Sequence, residues 1–279
     1  MKIIWLTRIR NEENIIENTL DHMATFCTWW VYIYDDFSTD STWEIIEKHH
    51  IVKKVIKWKK WDNNREKAEF ENRQELLLLA KRYANNNDWF IYMDADERVE
   101  FNWSSLENIN KNIIWIRMRL FDFYITKFDI DQNFNKRKYI GPEYRDILML
   151  FKNTNSLKYH NPDQREVYIW HKWIVSRLWY VKHYWKAISI KQWEETCEYY
   201  STQFPKYAKK WENRKWKAVH TISDFWFPLI TWKEKENKWV PLWKIEIKSS
   251  NILSRSIVYT IKYLRILKET IVNLFYKFI

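Results

Sequence analysis

Glycine is nearly missing from this chain. One residue in 279 is glycine, against an ordinary usage of roughly 7%, or about 20 in a chain of this length. The segment after the first apolar run, Arg8-Ile9-Arg10-Asn11-Glu12-Glu13, holds neither glycine nor tryptophan, so it is no glycine-rich loop for cradling phosphates. Cysteine is scarce as well: Cys27 and Cys197 have no paired spacing, which argues against a disulfide scaffold or a zinc site. With no signal-peptide pattern at the N-terminus, they point to a reducing, cytoplasmic setting. Internal repeats, low-complexity tracts and glycine/serine linkers are lacking too. Acidic residues are outnumbered by basic ones, 36 to 47. The resulting charge of +11 suits an anionic partner: a nucleotide diphosphate, a nucleic acid or an acidic membrane surface.

Tryptophan is what the chain has in excess, at 20 residues. Several stand where backbone freedom rather than an indole is expected: Trp29-Trp30 before an apolar run, Trp43 after Ser-Thr-Asp-Ser-Thr, Trp185 in His-Tyr-Trp-Lys, Trp239 in Asn-Lys-Trp-Val-Pro. Turns often need φ > 0, which glycine permits and tryptophan resists. The shortfall of one residue matches the surplus of the other. The expectation is a source that reads UGA as glycine, with such codons at Trp5, Trp43, Trp179 and Trp185; UGG at all four would remove this reading. Trp61, Trp89, Trp193, Trp211 and Trp232 sit in aromatic or amphipathic settings proper to a true indole. An indole-rich carbohydrate-binding surface is the competing reading, and it leaves the missing glycines unexplained.

An apolar content of 46% is enough to bury a sizeable core as one domain, 1–245, followed by an appendage, 246–279. Residues 2–7 read as a buried strand, followed by a polar turn through Glu13 and a helix with Ile15, Ile16, Leu20 and Met23 on one face. A second strand at 30–34 ends in a polar segment that caps a helix running to about His49. A short strand at 52–56, a charged loop at 57–65 and a long helix over 66–85 lead to the strand before Asp94. Strand and helix in alternation imply an α/β fold with a mostly parallel sheet covered on both faces, whose ligands bind beyond the carboxyl ends of the strands. Further on, strands are expected at 114–120 and 174–182, with an aromatic segment at 121–128, a polar loop at 160–166 and a helix over 192–200. Residues 256–279 mix apolar positions with Lys262, Arg265, Lys268 and Lys277. That pattern is too interrupted by charge to span a bilayer. It fits a basic amphipathic helix on an anionic membrane, or an ordinary helix packed on the domain.

The run Trp89-Phe90-Ile91-Tyr92-Met93-Asp94-Ala95-Asp96-Glu97 delivers two carboxylates two residues apart. In an extended segment such side chains point the same way, so Asp94 and Asp96 can address one hard divalent cation and, through it, a diphosphate. A solvated turn at a strand end is the plainer alternative. A nucleotide also needs its base and ribose held. Asp35 and Asp36 are suited to a uracil edge or ribose hydroxyls, and Arg8 on the neighbouring strand end to base or phosphate. Asp40 reads as a helix cap. Arg65, at a helix start, suits either a phosphate contact or solvent. Asp96 would hold Mg2+ or Mn2+, and Asp94 the ribose or a metal-bound water.

Four segments together resemble glycosyltransferase family 2, with its GT-A fold. They are Leu6-Thr7-Arg8-Ile9-Arg10-Asn11-Glu12-Glu13, Tyr34-Asp35-Asp36-Phe37-Ser38-Thr39-Asp40-Ser41-Thr42, Arg65-Glu66, and Asp94-Ala95-Asp96-Glu97. The resemblance implies a nucleotide-sugar-binding half, 1–100, and an acceptor-binding half, 101–245. It implies a nucleotide-sugar donor, of UDP type, held by Thr7, Arg8, Glu12, Asp35, Asp36, Arg65 and Asp94. It also implies a cation, Mn2+ or Mg2+, at Asp96 and Asp94, and transfer with inversion to a glycan or lipid-linked acceptor. Family members usually carry glycine after the Asp-x-Ser-x-Asp segment, where this chain has Trp43 close by. Inverting transfer needs a general base, which the family draws from a carboxylate well beyond the metal motif. Asp163 is preferred to Glu166 for that role. The segment Tyr180-Val181-Lys182-His183-Tyr184-Trp185-Lys186 resembles one in which a family histidine completes the metal or diphosphate contacts. His183 is accordingly a third candidate ligand, with Lys182, Lys186 and Arg214 adding charge over the phosphates.

Three other classes are weighed against this. A nucleotidyltransferase can share the sheet and the metal, but it calls for a glycine-rich loop near the first strand. A nucleic-acid-binding protein would use the basic charge and the aromatics for base stacking, and leaves the acids at strand ends without a purpose. A non-catalytic carbohydrate-binding module would bind glycan without metal and without Asp96.

Overall fold

The computed structural model describes residues 1–28, 30–58, 62, 64–100, 106–160, 166–167, 175–221 and 229–232. The expected helix at 256–279 and the loop residue Asp163 lie outside them. The first strand, β1 (Ile3–Ile9), alternates as a doubly covered strand should: Ile3 and Trp5 face one core, Ile4 and Leu6 the other, all fully buried. Helix α1 (Ile16–Ala24) supplies Ile16, Leu20 and Met23 to the first core, as its 3.6-residue spacing requires. After β2 (Val31–Asp35), α2 (Thr42–Lys48) adds Ile46 to the same side. After β3 (Val52–Lys57), α3 (Arg65–Lys81) covers the opposite face through Leu76, Leu77 and Ala80. That helix stops four residues short of the expected 85, giving way before the Asn85-Asn86-Asn87 run, whose side chains compete for backbone hydrogen bonds.

Strands β4 (Trp89–Tyr92), β5 (Glu97–Glu100), β6 (Trp115–Phe123), β7 (Ile125–Thr126), β8 (Tyr139–Lys152) and β9 (Val175–His183) follow. The chain continues into α4 (Ile190–Gln203), capped by Ser189 accepting the Gln192 N–H at 3.0 Å, and α5 (Ala208–Glu212). Short strands β10 (Val219–His220) and β11 (Ile230–Thr231) close the described chain. The main sheet runs β3-β2-β1-β4-β8-β6-β9-β5, with β11 also on β8. Its first four strands are parallel. Strand β8 is antiparallel to β4 and β6, and β6 and β9 are parallel to each other. Among the described residues no helix is long and apolar enough to cross a membrane.

Among the described residues, four other than glycine have positive φ: Asn11 at 53°, Phe37 at 63°, Trp179 at 61° and Trp216 at 63°. Asparagine is at home there; the bulky residues are not. Trp179 sits at a bulge in β9, where the pairing with β6 slips a register between Arg117 and Arg119, a place that glycine commonly fills. Trp216 follows α5 and is 87% exposed, so its indole gains little from burial. Trp216→Gly is therefore expected to stabilise the protein. Left-handed backbone costs about 1–2 kcal/mol for an L-residue, and the added freedom of unfolded glycine returns about 0.5–1. The net rise of about 1 kcal/mol is read as a higher midpoint in urea or thermal unfolding; an unchanged or lower midpoint would contradict it. By contrast Trp5 is fully buried, stacked on Phe26 at 5.6 Å and donating its indole N–H to the Met93 carbonyl at 3.4 Å. Trp89, Trp193, Trp211 and Trp232 are likewise buried.

Candidate active site

The loops after β1 and β2 lie side by side because β1 and β2 are parallel neighbours, and polar side chains lace them together. Asn11 N–H donates to Ser38 Oγ at 3.1 Å, Thr39 N–H to Asn11 Oδ1 at 2.8 Å and Glu12 N–H to Thr42 Oγ1 at 2.7 Å. Asp40 accepts from Thr42 N–H at 3.0 Å, capping the first turn of α2, and from Glu13 N–H at 3.2 Å. Loop backbone that would otherwise need water is thus satisfied internally, which fixes the rim of a cleft.

Beneath that rim, Asp36 is 1% exposed and accepts from Arg8 Nη1 at 2.8 Å and from Arg65 Nη2. Arg8 also reaches Glu69 at 3.0 Å, and Arg65 donates to the Tyr199 hydroxyl at 3.2 Å. Asp35 is fully buried: its Oδ1 accepts from Ser38 N–H at 3.1 Å, while Oδ2 has no hydrogen-bond partner among the described residues. Burial pushes its carboxyl up, against the pull of the Ser38 hydrogen bonds. Thr7 is buried too, its hydroxyl without a partner among the described residues.

Strand β4 stops at Tyr92, and the chain turns through 93–96, with Glu97 N–H donating to the Asp94 carbonyl at 3.2 Å. Asp94 and Asp96 therefore do not share a face of an extended strand, as their spacing suggests. Instead, the pairing of β5 with β9 sets Glu97 opposite His183. Ligand atoms of Asp96, Glu97 and His183 then lie within 4.8 Å of one another. Oxygen donors with one imidazole suit a hard or borderline divalent cation such as Mg2+ or Mn2+. Glu97 also accepts the Asp94 N–H at 2.9 Å, holding the turn. Glu12, across the cleft, has its carboxyl pushed well above the usual range, first by burial and then by Asp96, Asp94 and Asp40.

The cleft has a volume of about 1230 Å³ and is lined by Arg8 to Asn14, Asp40 and Asp94 to Asp96 on one side. Its other wall includes Asp122, Arg145, His183, Lys186, Tyr199 and Arg214. Asp122, near the end of β6, accepts from His183 Nδ1 at 2.5 Å, Lys186 Nζ at 2.6 Å and Arg145 Nη2 at 2.9 Å. Burial alone would raise its carboxyl, but Lys186, His183 and Arg145 outweigh it and hold the group well below the usual range.

Residues 6–165, more than half of the chain, match the sequence profile described as glycosyl transferase family 2. The chain belongs to that family. Its mixed α/β architecture, with the cleft at the carboxyl ends of the parallel strands, is the GT-A fold. No curated protein matches the sequence. Among solved structures it is similar to glucosyl-3-phosphoglycerate synthase from Mycobacterium tuberculosis, in complex with Mn2+, UDP and glucosyl-3-phosphoglycerate. That pair shares 16% identity at a TM-score of 0.29, over 47% of each chain. It is also similar to galactosyltransferase LgtC in complex with donor and acceptor sugar analogs, at 11% identity and a TM-score of 0.29, over 53% of this chain and 57% of that one. The matched stretch is about half the length of each of these proteins.

Of the residues singled out from the sequence, the fold brings Arg8, Glu12, Asp94, Asp96, His183, Lys186 and Arg214 to the cleft. Thr7, Asp35, Asp36 and Arg65 are buried and are not among its lining residues. Lys182 is paired with Glu100 at 2.7 Å rather than lining the cleft. Glu166 is clamped by Arg117, with 2.6 Å and 2.7 Å contacts to its two oxygens, and accepts the Leu148 N–H at 2.9 Å. It is not among the cleft-lining residues. Sequence reasoning missed Glu97 and Asp122 as members of the site. Glu97 was legible as the next acid after Asp96, whereas Asp122 is brought in by the β6–β9 register, which no local pattern encodes.

Proposed function

We propose that this family 2 transferase moves a sugar from a UDP-type nucleotide-sugar to a glycan or lipid-linked acceptor, with inversion at the anomeric carbon. The carrying observation is the convergence of Asp96, Glu97 and His183, of which Asp96 and His183 line the cleft together with Arg8. Asp35 Oδ2, buried and without a partner among the described residues, suits the N–H of a uracil or a ribose hydroxyl. Arg8, held charged by Glu69 and Asp36, faces the diphosphate from the β1 end. Asp96, Glu97 and His183 would hold the cation, with Asp94 at the ribose; a bound Mn2+ or Mg2+ supplies Lewis-acid neutralisation of the diphosphate as it departs. Lys186 and Arg214 add positive charge from the opposite wall. The acceptor proton goes to a carboxylate base. Because the oxygens of Glu166 are taken by Arg117 and Leu148, Asp163 is the residue assigned to that role. Residues 256–279 are assigned to an anionic membrane surface on the cytoplasmic side; flotation with anionic vesicles that survived their deletion would defeat this.

The test of the main reading is nucleotide release from a panel of UDP-, GDP- and TDP-sugars with and without Mn2+. Release from one donor that depends on the cation is expected. Equal release after chelation would sink the reading.

We also propose that Trp179 and Trp216 stand at positions encoded as glycine. Both have positive φ, one at a bulge and one beyond a helix. Phe37 shows that positive φ is not confined to tryptophan here, so the deciding measurement is the peptide mass of the protein from its native source. Peptides carrying tryptophan at both sites would refute the idea.

A further inference from the structure

We propose that Asp122 is the positioning residue for His183, fixing the ring so that Nε2 is presented to the cation site. This rests on the assignment of a cation to Asp96, Glu97 and His183. The register of β6 against β9 sets Asp122 opposite His183, and that of β5 against β9 sets Glu97 opposite the same residue. His183 thus stands between two carboxylate-bearing strands. Its Nδ1 lies 2.5 Å from Asp122 Oδ1 and 3.2 Å from Arg145 Nη2, and its Nε2 lies 3.6 Å from Asp96 Oδ1. An ionised carboxylate can only accept, and Asp122 makes the shorter contact while Arg145 Nη2 donates to Asp122 Oδ1 at 2.9 Å, so the proton belongs on Nδ1 and the Nε2 lone pair faces Asp96. That is the tautomer a metal ligand needs, and a carboxylate on the far nitrogen is the usual device for securing it.

Asp122 is itself held in place. Lys186 Nζ contacts its Oδ2 at 2.6 Å, and Arg145 Nη2 its Oδ1 at 2.9 Å. Lys186 also donates to the Tyr124 hydroxyl at 2.9 Å. The Tyr124 ring lies against Gly141, where a Cβ would come within 2.8 Å of the ring edge. The one glycine of the chain therefore makes room for the ring that steadies Lys186. A general-base role for Asp122 fits poorly, because both oxygens already accept from cationic or imidazole donors. Its geometry serves orientation.

The test titrates Mn2+ alone, without nucleotide, into the wild type, Asp122→Asn, His183→Ala and the double variant, following free Mn2+ by electron paramagnetic resonance. An asparagine amide can donate to Nδ1 and so favours the tautomer that carries its proton on Nε2. Asp122→Asn is expected to weaken Mn2+ binding by about 10–100-fold, with no further loss when added to His183→Ala. A folded Asp122→Asn protein that binds Mn2+ within about twofold of wild type overturns the proposal, as does an additive loss in the double variant. The wild type supplies a second reading if the variant does not fold. Nitrogen-15 shifts of the His183 ring in the metal-free protein should show Nδ1 protonated and Nε2 bare; the opposite tautomer overturns the proposal. A wild type that binds no Mn2+ overturns the cation assignment itself and this inference with it, an outcome distinct from normal binding by both proteins.

Discussion

Asp96→Ala is expected to lower sugar transfer by about 10³-fold, a loss of about 4 kcal/mol of transition-state stabilisation. Charge builds on the departing diphosphate in the transition state, so a ligand that holds a cation against it acts where the barrier is decided. Asp96 is one of three gathered ligands, its Oδ1 3.6 Å from Nε2 of His183. Removing it leaves Glu97, whose carboxylate is also engaged by the Asp94 N–H. The same substitution should not unfold the protein. Asp96 stands among like charges, and it is one of the groups that push the Glu12 carboxyl up. Relief of that repulsion favours the metal-free fold. The check is therefore paired: transfer rate at saturating donor and Mn2+, and thermal midpoint without Mn2+. Activity within about tenfold of wild type, or a midpoint that falls in step with activity, would show that Asp96 acts otherwise.

The paired readout matters because the two halves of the chain were not equally readable from sequence. Over the first 100 residues β1, β2 and β4 are largely apolar runs and α1 an apolar stripe, so local pattern and final structure agree there, whereas β5, Glu-Arg-Val-Glu, carries no such pattern. Ile16, Leu20 and Met23 were enough to orient α1. The central strand β8 was not seen. Its first half, Tyr139-Ile140-Gly141-Pro142-Glu143-Tyr144-Arg145-Asp146, carries a Gly-Pro pair and charges that read as a turn. It is a strand because β4 and β6 flank it, a non-local cause. Asp94 and Asp96 were identified by type and spacing, yet the reason given for them, a shared strand face, does not hold in a turn. Asp122 was hidden for the opposite reason: its local setting, Leu-Phe-Asp-Phe-Tyr, is an ordinary strand, and only the register against His183 gives it work. Asp163 falls outside the described residues, so the base stays an assignment from pattern.

Asp36→Ala carries the largest expected loss of stability, about 3–5 kcal/mol, the cost of leaving a buried charge without its partner. At about 2–4 °C per kcal/mol for a protein of this size, the thermal midpoint should fall by about 6–20 °C. Asp36 and Arg65 are each 1% exposed at the side chain, so water cannot replace the missing carboxylate. Arg8 keeps Glu69 at 3.0 Å, and Arg65 donates to two neutral groups, the Tyr199 hydroxyl and the Asp62 carbonyl. The loss is also topological. Asp36 follows β2, Arg65 opens α3 and Tyr199 lies on α4, so one carboxylate ties the parallel half of the sheet to the helix walling the far side of the cleft. A compensated variant separates charge from shape. Asp36→Leu with Arg65→Met removes both ions and fills the space with apolar atoms, and buried pairs so replaced often leave stability nearly unchanged. The double variant should recover most of the midpoint lost by Asp36→Ala. If it unfolds at the same temperature as the single variant, the stabilisation lies in the shape of the polar network rather than in the pairing of its charges.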